Sequence, residues 1–379
     1  MYSRLLKLYP HAHESVFLFG PRGTGKTRWI KTHLQNILYL DLLYTETYID
    51  LLANPSRLEK MIPRGFKNWI VIDEVQKIPE LLNEVHRLIE TYHYKFILTG
   101  SSARSLKRKG VNLLAGRALR YTMHPLTFAE IGKDFSLSKA LEHGLLPKAV
   151  TASDPHHYLE SYITTYLREE VLQEGLARSI GEFARFLETA SFSQGSVINY
   201  AEIAREASIE RKTVSNYFDI LEDLLISFRL YPFTKRAKRR LIQSPKFYYF
   251  DTGVFKTLRP MGVLDSPEEA EGPGLETLFL QHLRAYNDYF RLGYKIYYWR
   301  TSNQVEVDCV LYGKKGLLAF EVKRKSNISH SDFSGLKAFM KDYPIAKCYL
   351  IYGGNTQEHE GDIDIIPIDK MWELLREIL

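Results

Sequence analysis

Gly20-Pro21-Arg22-Gly23-Thr24-Gly25-Lys26-Thr27 places four residues between its first glycine and a Gly-Lys-Thr end. This is the spacing of a phosphate-binding loop, in which glycines let backbone N–H groups curl around phosphate oxygens and a following helix adds its dipole. Lys26 is expected to reach the β- and γ-phosphates of a nucleoside triphosphate, and the Thr27 hydroxyl to hold Mg²⁺. Trp69-Ile70-Val71-Ile72-Asp73-Glu74 supplies two acids after an apolar run. Asp73 is expected in the Mg²⁺ shell, with Glu74 on the attacking water. Lys95-Phe96-Ile97-Leu98-Thr99-Gly100 ends in Ser101-Ser102, where a hydroxyl such as that of Ser101 can contact the γ-phosphate and sense its loss. A second group lies in the tail. Glu306 and Asp308 share one strand face, and Glu321 and Lys323 share a face of the next, because side chains alternate along a strand. Strand pairing would gather Asp308, Glu321 and Lys323, with Glu276 approaching from a helix. Such carboxylates bind Mg²⁺ or Mn²⁺, and a neighbouring lysine polarises water or a phosphoryl oxygen.

The elements that must position these groups follow from local pattern. Residues 15–19 (Ser-Val-Phe-Leu-Phe) read as a buried strand before the loop, and residues 26–34 can start a helix after it. The apolar runs before Asp73 and Ser101 read as further buried strands of a parallel sheet, whose C-terminal ends hold ligands. Arg117 and, as second choice, Arg120 lie just before a strand read over Tyr121 to Met123. An arginine there could act as a finger on a neighbouring subunit's phosphates.

The 379 residues exceed one compact core, so two or three domains are expected. The domains expected are a nucleotide core at 1–135, a helical lid or connector at 136–178, a third domain at 179–260 and a tail at 261–379. No apolar run reaches membrane-spanning length, no signal-peptide segment opens the chain, and no membrane partner is expected. Two cysteines, Cys309 and Cys348, point to a reducing cytoplasm and not to a disulfide framework. The net charge of +6 divides unevenly: residues 261–379 hold 14 Lys+Arg against 18 Asp+Glu, leaving the front and middle basic. An acidic partner is therefore expected there.

The middle reads as a winged helix. A helix from 182, a short helix over 201–207, a turn at Ser208-Ile209 and a longer helix over 210–225 give the helix-turn-helix outline. Arg211, Lys212, Ser215 and Asn216 form the polar front of its second helix, where base edges and phosphates are met. A hairpin pairing 226–233 with 246–250 follows. Its connection carries Lys235, Arg236, Lys238, Arg239 and Arg240, five basic residues in six positions, as a wing for a phosphate backbone. In the tail, Gly272-Pro273-Gly274 marks a boundary before a helix over 275–290. Strands over 295–300, 304–311 and 316–323, a helix near 333–343 and a strand over 346–352 follow.

That tail order resembles the PD-(D/E)XK nuclease fold, with Asp308, then Glu321-Val322-Lys323, and Glu276 at the position of the helix glutamate. Across nearly its whole length the chain resembles the prokaryotic AAA+ ATPases whose C-terminal part is called domain of unknown function 4143. The likeness is carried by the phosphate loop, Ile72-Asp73-Glu74-Val75-Gln76-Lys77, Leu98-Thr99-Gly100-Ser101-Ser102, Ala115-Gly116-Arg117 and Ser244-Pro245-Lys246-Phe247-Tyr248-Tyr249-Phe250-Asp251-Thr252-Gly253. The fold class expected is therefore α/β: an AAA+ P-loop ATPase core with helical lid, a winged helix-turn-helix, and an α/β PD-(D/E)XK nuclease-like domain, often inactive in relatives. The resemblance implies ATP as the nucleotide and assembly into a homo-oligomeric ring, a hexamer first, with Arg117 acting across subunits. Two functions fit. One is an ATP-driven DNA machine that translocates, unwinds or migrates branches, its tail cutting or merely holding DNA. The other is a nucleotide-controlled oligomeric switch in signalling or defence.

Overall fold

A computed structural model describes residues 2–9, 14–102, 117–167, 179–236, 240–262 and 267–379. Lys238 and Arg239 lie outside the described residues. The chain divides into two compact units. The smaller comprises Leu6–His124 with Ile220–Ile226, and the larger Met1–Leu5, Pro125–Asp219 and Ser227–Leu379. Residues 220–226 of the expected third domain thus fall in the smaller unit, and the described remainder of the expected lid, third domain and tail in the larger.

The smaller unit is built on a five-stranded parallel sheet. Its strands are β1 (Ser15–Phe19), β2 (Leu38–Asp41), β3 (Trp69–Asp73), β4 (Lys95–Gly100) and β5 (Ala118–Thr122), in spatial order β2-β3-β4-β1-β5. The continuous apolar runs of β1, β3 and β4 suit strands covered on both faces. The Leu81–Tyr92 helix buries Leu81, Leu82, Val85, Leu88 and Ile89, a helical stripe. It packs with Phe17, Phe19, Ile70, Ile72, Phe96 and Leu98. Because all five strands run one way, the ends of β1, β3 and β4 meet along one edge of the sheet. Arg117 lies at the opposite edge, since Ala118 is in register with Ser15, the first residue of β1.

The larger unit carries helices Ile180–Ser191, Tyr200–Glu206 and Arg211–Asp223, the last of which runs into the smaller unit. Its hairpin consists of β6 (Ser227–Leu230) and β7 (Lys246–Tyr249). The ladder is shorter than the sequence suggested, because residues 231–233 leave β6 for another strand. Around the Thr252–Leu258 helix the chain packs closely. A Cβ on Gly253 would meet the His143 carbonyl oxygen at 2.3 Å, and one on Gly144, at φ +67°, would meet Asp251 at 2.0 Å. Asp251 in turn accepts the Leu145, Gly253 and Val254 N–H groups. That contact ties residues 137–145 to the helix and explains why the expected lid groups with this unit.

The tail forms a six-stranded sheet from β8 (Lys295–Arg300), β9 (Glu306–Gly313), β10 (Gly316–Lys323), β11 (Lys347–Tyr352), β12 (Glu358–Glu360) and β13 (Ile363–Pro367), ordered β12-β13-β11-β10-β9-β8. The last two strands and the Ile368–Ile378 helix were not read from the sequence. One face packs on helices Pro267–Tyr289 and Ile368–Ile378 through Phe279, Leu283, Met371 and Trp372. The other packs on the Ser334–Asp342 helix through Leu336 and Phe339. The expected break at Gly272-Pro273-Gly274 is not there: the helix starts at Pro267 and runs through it. Proline disfavours helix in the preceding residue by striking its Cβ, and Gly272 has none. The β8 edge is covered by the hairpin's own arms. Phe233 N–H donates to the Tyr298 carbonyl (2.7 Å), Tyr298 N–H to Tyr231 (3.1 Å), and Ile242 N–H to Arg300 (3.0 Å).

Candidate active site

The phosphate loop leaves β1 at Gly20 and enters the Lys26–His33 helix with Gly25 as its cap. Gly23 and Gly25 sit at φ +80° and +94°, a backbone region that disfavours side chains. The helix has no acidic residue in its first turn, so its N-terminal dipole is left for an anion. Lys26 is 6% exposed and donates from Nζ to the Gly20 and Pro21 carbonyls at 2.7 and 3.2 Å. Thr24 is buried and donates to Pro21 O, while Arg22 is exposed on the loop.

Asp73, at the end of β3, is 2% exposed and collects three hydroxyls. Thr27 Oγ1 donates to Oδ2 at 2.7 Å, Tyr39 OH to the same oxygen, and Thr99 Oγ1 to Oδ1. Hydroxyl, carboxylate and loop thus converge as the sequence spacing implied. Thr27 and Asp73 are hard oxygen donors already in contact across the loop, which fits a shared Mg²⁺ shell. Glu74 follows in left-handed backbone (φ +60°), which carries the chain out of the sheet at this residue. Its N–H donates to Thr99 Oγ1 at 3.2 Å. Gln76 Nε2 bridges Glu74 Oε2 and Ser101 Oγ, the latter at 3.1 Å. Ser101 is buried at the end of β4. Gln76 and Tyr39 escaped the sequence reading. Tyr39 sits on β2, a half-buried strand whose short Leu-Tyr-Leu run was the available signal. Burial, then its bond to Asp73, pushes the Tyr39 phenol well up.

Arg117 does not join this group. Its Nε is paired with Glu90 of the same unit, both side chains 40% or more exposed, and the strand register puts it at the other end of the sheet.

The tail residues lie close together, with Lys246 of β7 among them. Glu276, Asp308 and Glu321 were to share a divalent ion. Among the described residues, no group of three or more His, Cys, Asp or Glu is arranged to hold one. Lys246, from β7, reaches in instead. Its Nζ lies 3.2 Å from Glu276 Oε1 and 4.0 Å from Asp308 Oδ1, and in contact with Glu306. Asp308 sits beside an irregularity in the β8–β9 register, and its Oδ2 accepts Val322 N–H at 2.9 Å. Lys323 Nζ bonds Glu321 Oε1 at 2.6 Å. Burial pushes Glu276 up to about 7 and Glu321 up to about 8; Lys246 and Lys323, respectively, oppose the shift, and Asp308 adds to both.

On the front of the Arg211–Asp223 helix, Arg211, Lys212 and Asn216 are exposed, as are Lys235, Arg236 and Arg240 in the hairpin connection. Lys235 also lies over the Tyr312 ring, 5.3 Å from its centroid. Beside that helix front is a cavity of about 740 Å³ lined in part by Glu182, Arg205, Glu210 and Asn216.

Residues 12–132 match the family model described as an AAA domain, and residues 271–371 that of a domain of unknown function, DUF4143. Residues 134–265 match a second domain of unknown function, DUF8612. The chain therefore carries an AAA domain followed by a DUF4143 region, in the order its motifs implied. An uncharacterized protein of Mycobacterium tuberculosis is 27% identical over 95% of this chain and 81% of its own length. An uncharacterized protein of Methanocaldococcus jannaschii is 23% identical over 82% and 74%. Among solved structures, the Aeropyrum pernix ORC1 protein in complex with DNA aligns at TM-score 0.25 and 13% identity, over 65% of this chain and 86% of that one. A Vibrio cholerae protein aligns at 0.24 and 12%, over 96% and 97%. Superpositions this loose carry no argument about fold or function. No helix among the described residues is long and apolar enough to cross a membrane.

Proposed function

We propose that this chain hydrolyses ATP and couples the hydrolysis to DNA held by its basic middle segment. The carrying observation is the convergence on the loop: Lys26, buried at the start of its helix, donates to the Gly20 and Pro21 carbonyls, and Thr27 beside it bonds Asp73 at the end of β3. An ammonium so placed exchanges carbonyls for phosphate oxygens with a gain in charge pairing. Mg²⁺ bound with the triphosphate would neutralise charge developing on the transferred phosphoryl oxygens. Thr27 and Asp73 would hold its shell, Glu74 would orient and deprotonate the attacking water, and Ser101 through Gln76 would couple the γ-phosphate to Glu74. Arg117 faces away from its own loop, so its guanidinium would serve the site of a neighbouring copy in a ring. Its surface pair with Glu90 is a weak competitor, since exposed pairs contribute about 0–1 kcal/mol.

The exposed Arg211, Lys212 and Asn216 support reading 179–260 as a winged helix that contacts DNA, with Lys235, Arg236 and Arg240 on the backbone. Hydrolysis measured with no nucleic acid and with single-stranded, duplex or branched DNA tests this. Stimulation lost on replacing the basic residues of 235–240 supports the reading; equal rates in every condition and variant remove the DNA part. The cavity lined by Glu182 and Glu210 favours a second reading, a nucleotide switch whose helices pack on protein, because acidic groups repel phosphate. That reading calls for negligible DNA affinity at physiological salt and a nucleotide-dependent change in oligomer size.

A further inference from the structure

The tail cluster holds its own cation. Lys246 is 2% exposed, and its strand is fixed on both sides, by β6 and by a bridge to Val197. Its ammonium contacts Glu276, Glu306 and Asp308 and lies 5.6 Å from the centre of the Tyr298 ring. Tyr248, two residues along β7 and so on the same face, donates its hydroxyl to Glu276. Arg300 Nε lies 3.2 Å from the other oxygen of Glu306, and Lys323 pairs with Glu321. Among the described residues, four carboxylates thus meet three fixed cations. One further divalent ion would overcharge the cluster and would lie beside the buried ammonium, a like-charge contact.

We infer that the Lys246 ammonium stands where a metal nuclease would bind its divalent ion, and that the tail is a metal-free mount for the basic hairpin. The donor set does not fit the metal. Glu321 Oε2 is the one cluster oxygen buried with no hydrogen-bond partner among the described residues, and Mg²⁺ needs an octahedron of oxygens. Two features make the cluster a mount. Lys246 ties β7 to the Pro267–Tyr289 helix and β9, and the hairpin's arms hydrogen-bond along β8. Residues 231–233 and 242, on either side of the basic connection, are thereby both held on the sheet. Lys323, which would polarise the scissile group in a cutting site, is occupied by Glu321.

Mn²⁺ is the probe, titrated into the full chain without nucleotide and followed by the electron paramagnetic resonance of the free ion. Wild type is expected to show no Mn²⁺ binding that Asp308→Asn removes, and no Mn²⁺-dependent nicking of duplex DNA. Lys246→Met keeps the length of the side chain and deletes its charge. It is expected to gain one Mn²⁺ per chain, lost again in the Lys246→Met/Asp308→Asn double variant. Asp308-dependent Mn²⁺ binding by wild type overturns the inference, and so does a folded Lys246→Met that gains no ion. Should Lys246→Met fail to fold, the wild-type titration decides alone. The measurement needs no ATP, so failure of the hydrolysis reading leaves it intact.

Discussion

Two buried lysines, one in each unit, show opposite solutions to the same problem. Lys26 and Lys246 are 6% and 2% exposed, and both carry a charge away from water. Lys26 donates to two carbonyls of its own loop, at Gly20 and Pro21. Lys246 bonds carboxylates from a helix and a neighbouring strand. Bonds to loop carbonyls can be exchanged for an anionic ligand, whereas a lysine set among three carboxylates acts as a clamp.

The largest effect that sharpens this contrast falls on stability. Removing one partner of a buried ion cluster leaves uncompensated charge, so Lys246→Met should cost about 3–5 kcal/mol. Lys26→Met, which loses hydrogen bonds to carbonyls, should cost about 1–3 kcal/mol, while weakening ATP binding about 10–100-fold through loss of a charge-assisted bond to phosphate. Urea midpoints without nucleotide and a nucleotide titration measure both. Equal stability losses would erase the distinction between ligand site and clamp.

Next in size is Arg117→Ala. If the guanidinium serves a neighbouring copy, hydrolysis should fall about 10²–10³-fold, as for loss of one preorganised transition-state donor. ATP affinity of the isolated chain should not change. Mixing Arg117→Ala with Lys26→Ala should restore some activity, since each copy supplies what the other lacks. No rescue in the mixture would place Arg117 outside the chemistry.

The smallest effect is a slope with pH. Glu276 and Glu321 are raised from 4.5 to about 7 and about 8 by burial, with Asp308 adding to both against Lys246 and Lys323. Between pH 4.5 and those values the folded chain holds protons that the unfolded chain has released, so stability falls as pH rises. His282, pushed by burial down to about 4 from 6.5, acts in the opposite direction at lower pH. The window from about 6.5 to 8 therefore isolates the cluster. Stability should decline across it in wild type and decline less in Asp308→Asn; parallel slopes would mean that Asp308 does not raise its neighbours.

How much of this was legible in one dimension follows from where the signals lie. β1, β3 and β4 are apolar runs that end at the loop, at Asp73 and next to Ser101, so these candidate residues could be placed from pattern alone. β2 is half-buried and four residues long, and without it the Tyr39 hydroxyl on Asp73 could not be seen. The helix through Pro273 was misread because proline's usual veto on its predecessor depends on a Cβ that Gly272 lacks. Residues 231–233 look like hairpin, yet their N–H and C=O groups go to β8, a choice made by the open edge of the tail sheet. Lys246 was read as part of a strand. Its partners lie 30 and 60 or more residues ahead, and no local period announces an ion pair between elements.

The account turns on Lys26, Thr27, Asp73 and Glu74 acting together on a triphosphate. Its most direct test is steady-state phosphate release from ATP at millimolar Mg²⁺, wild type against Glu74→Gln, with ATP binding measured on the same samples. The account predicts turnover by wild type, with Glu74→Gln binding ATP as tightly but releasing phosphate about 10²–10⁴-fold more slowly, the usual contribution of a positioned base. A folded wild-type chain that neither binds nor hydrolyses ATP, or a Glu74→Gln variant that turns over at the wild-type rate, would contradict it.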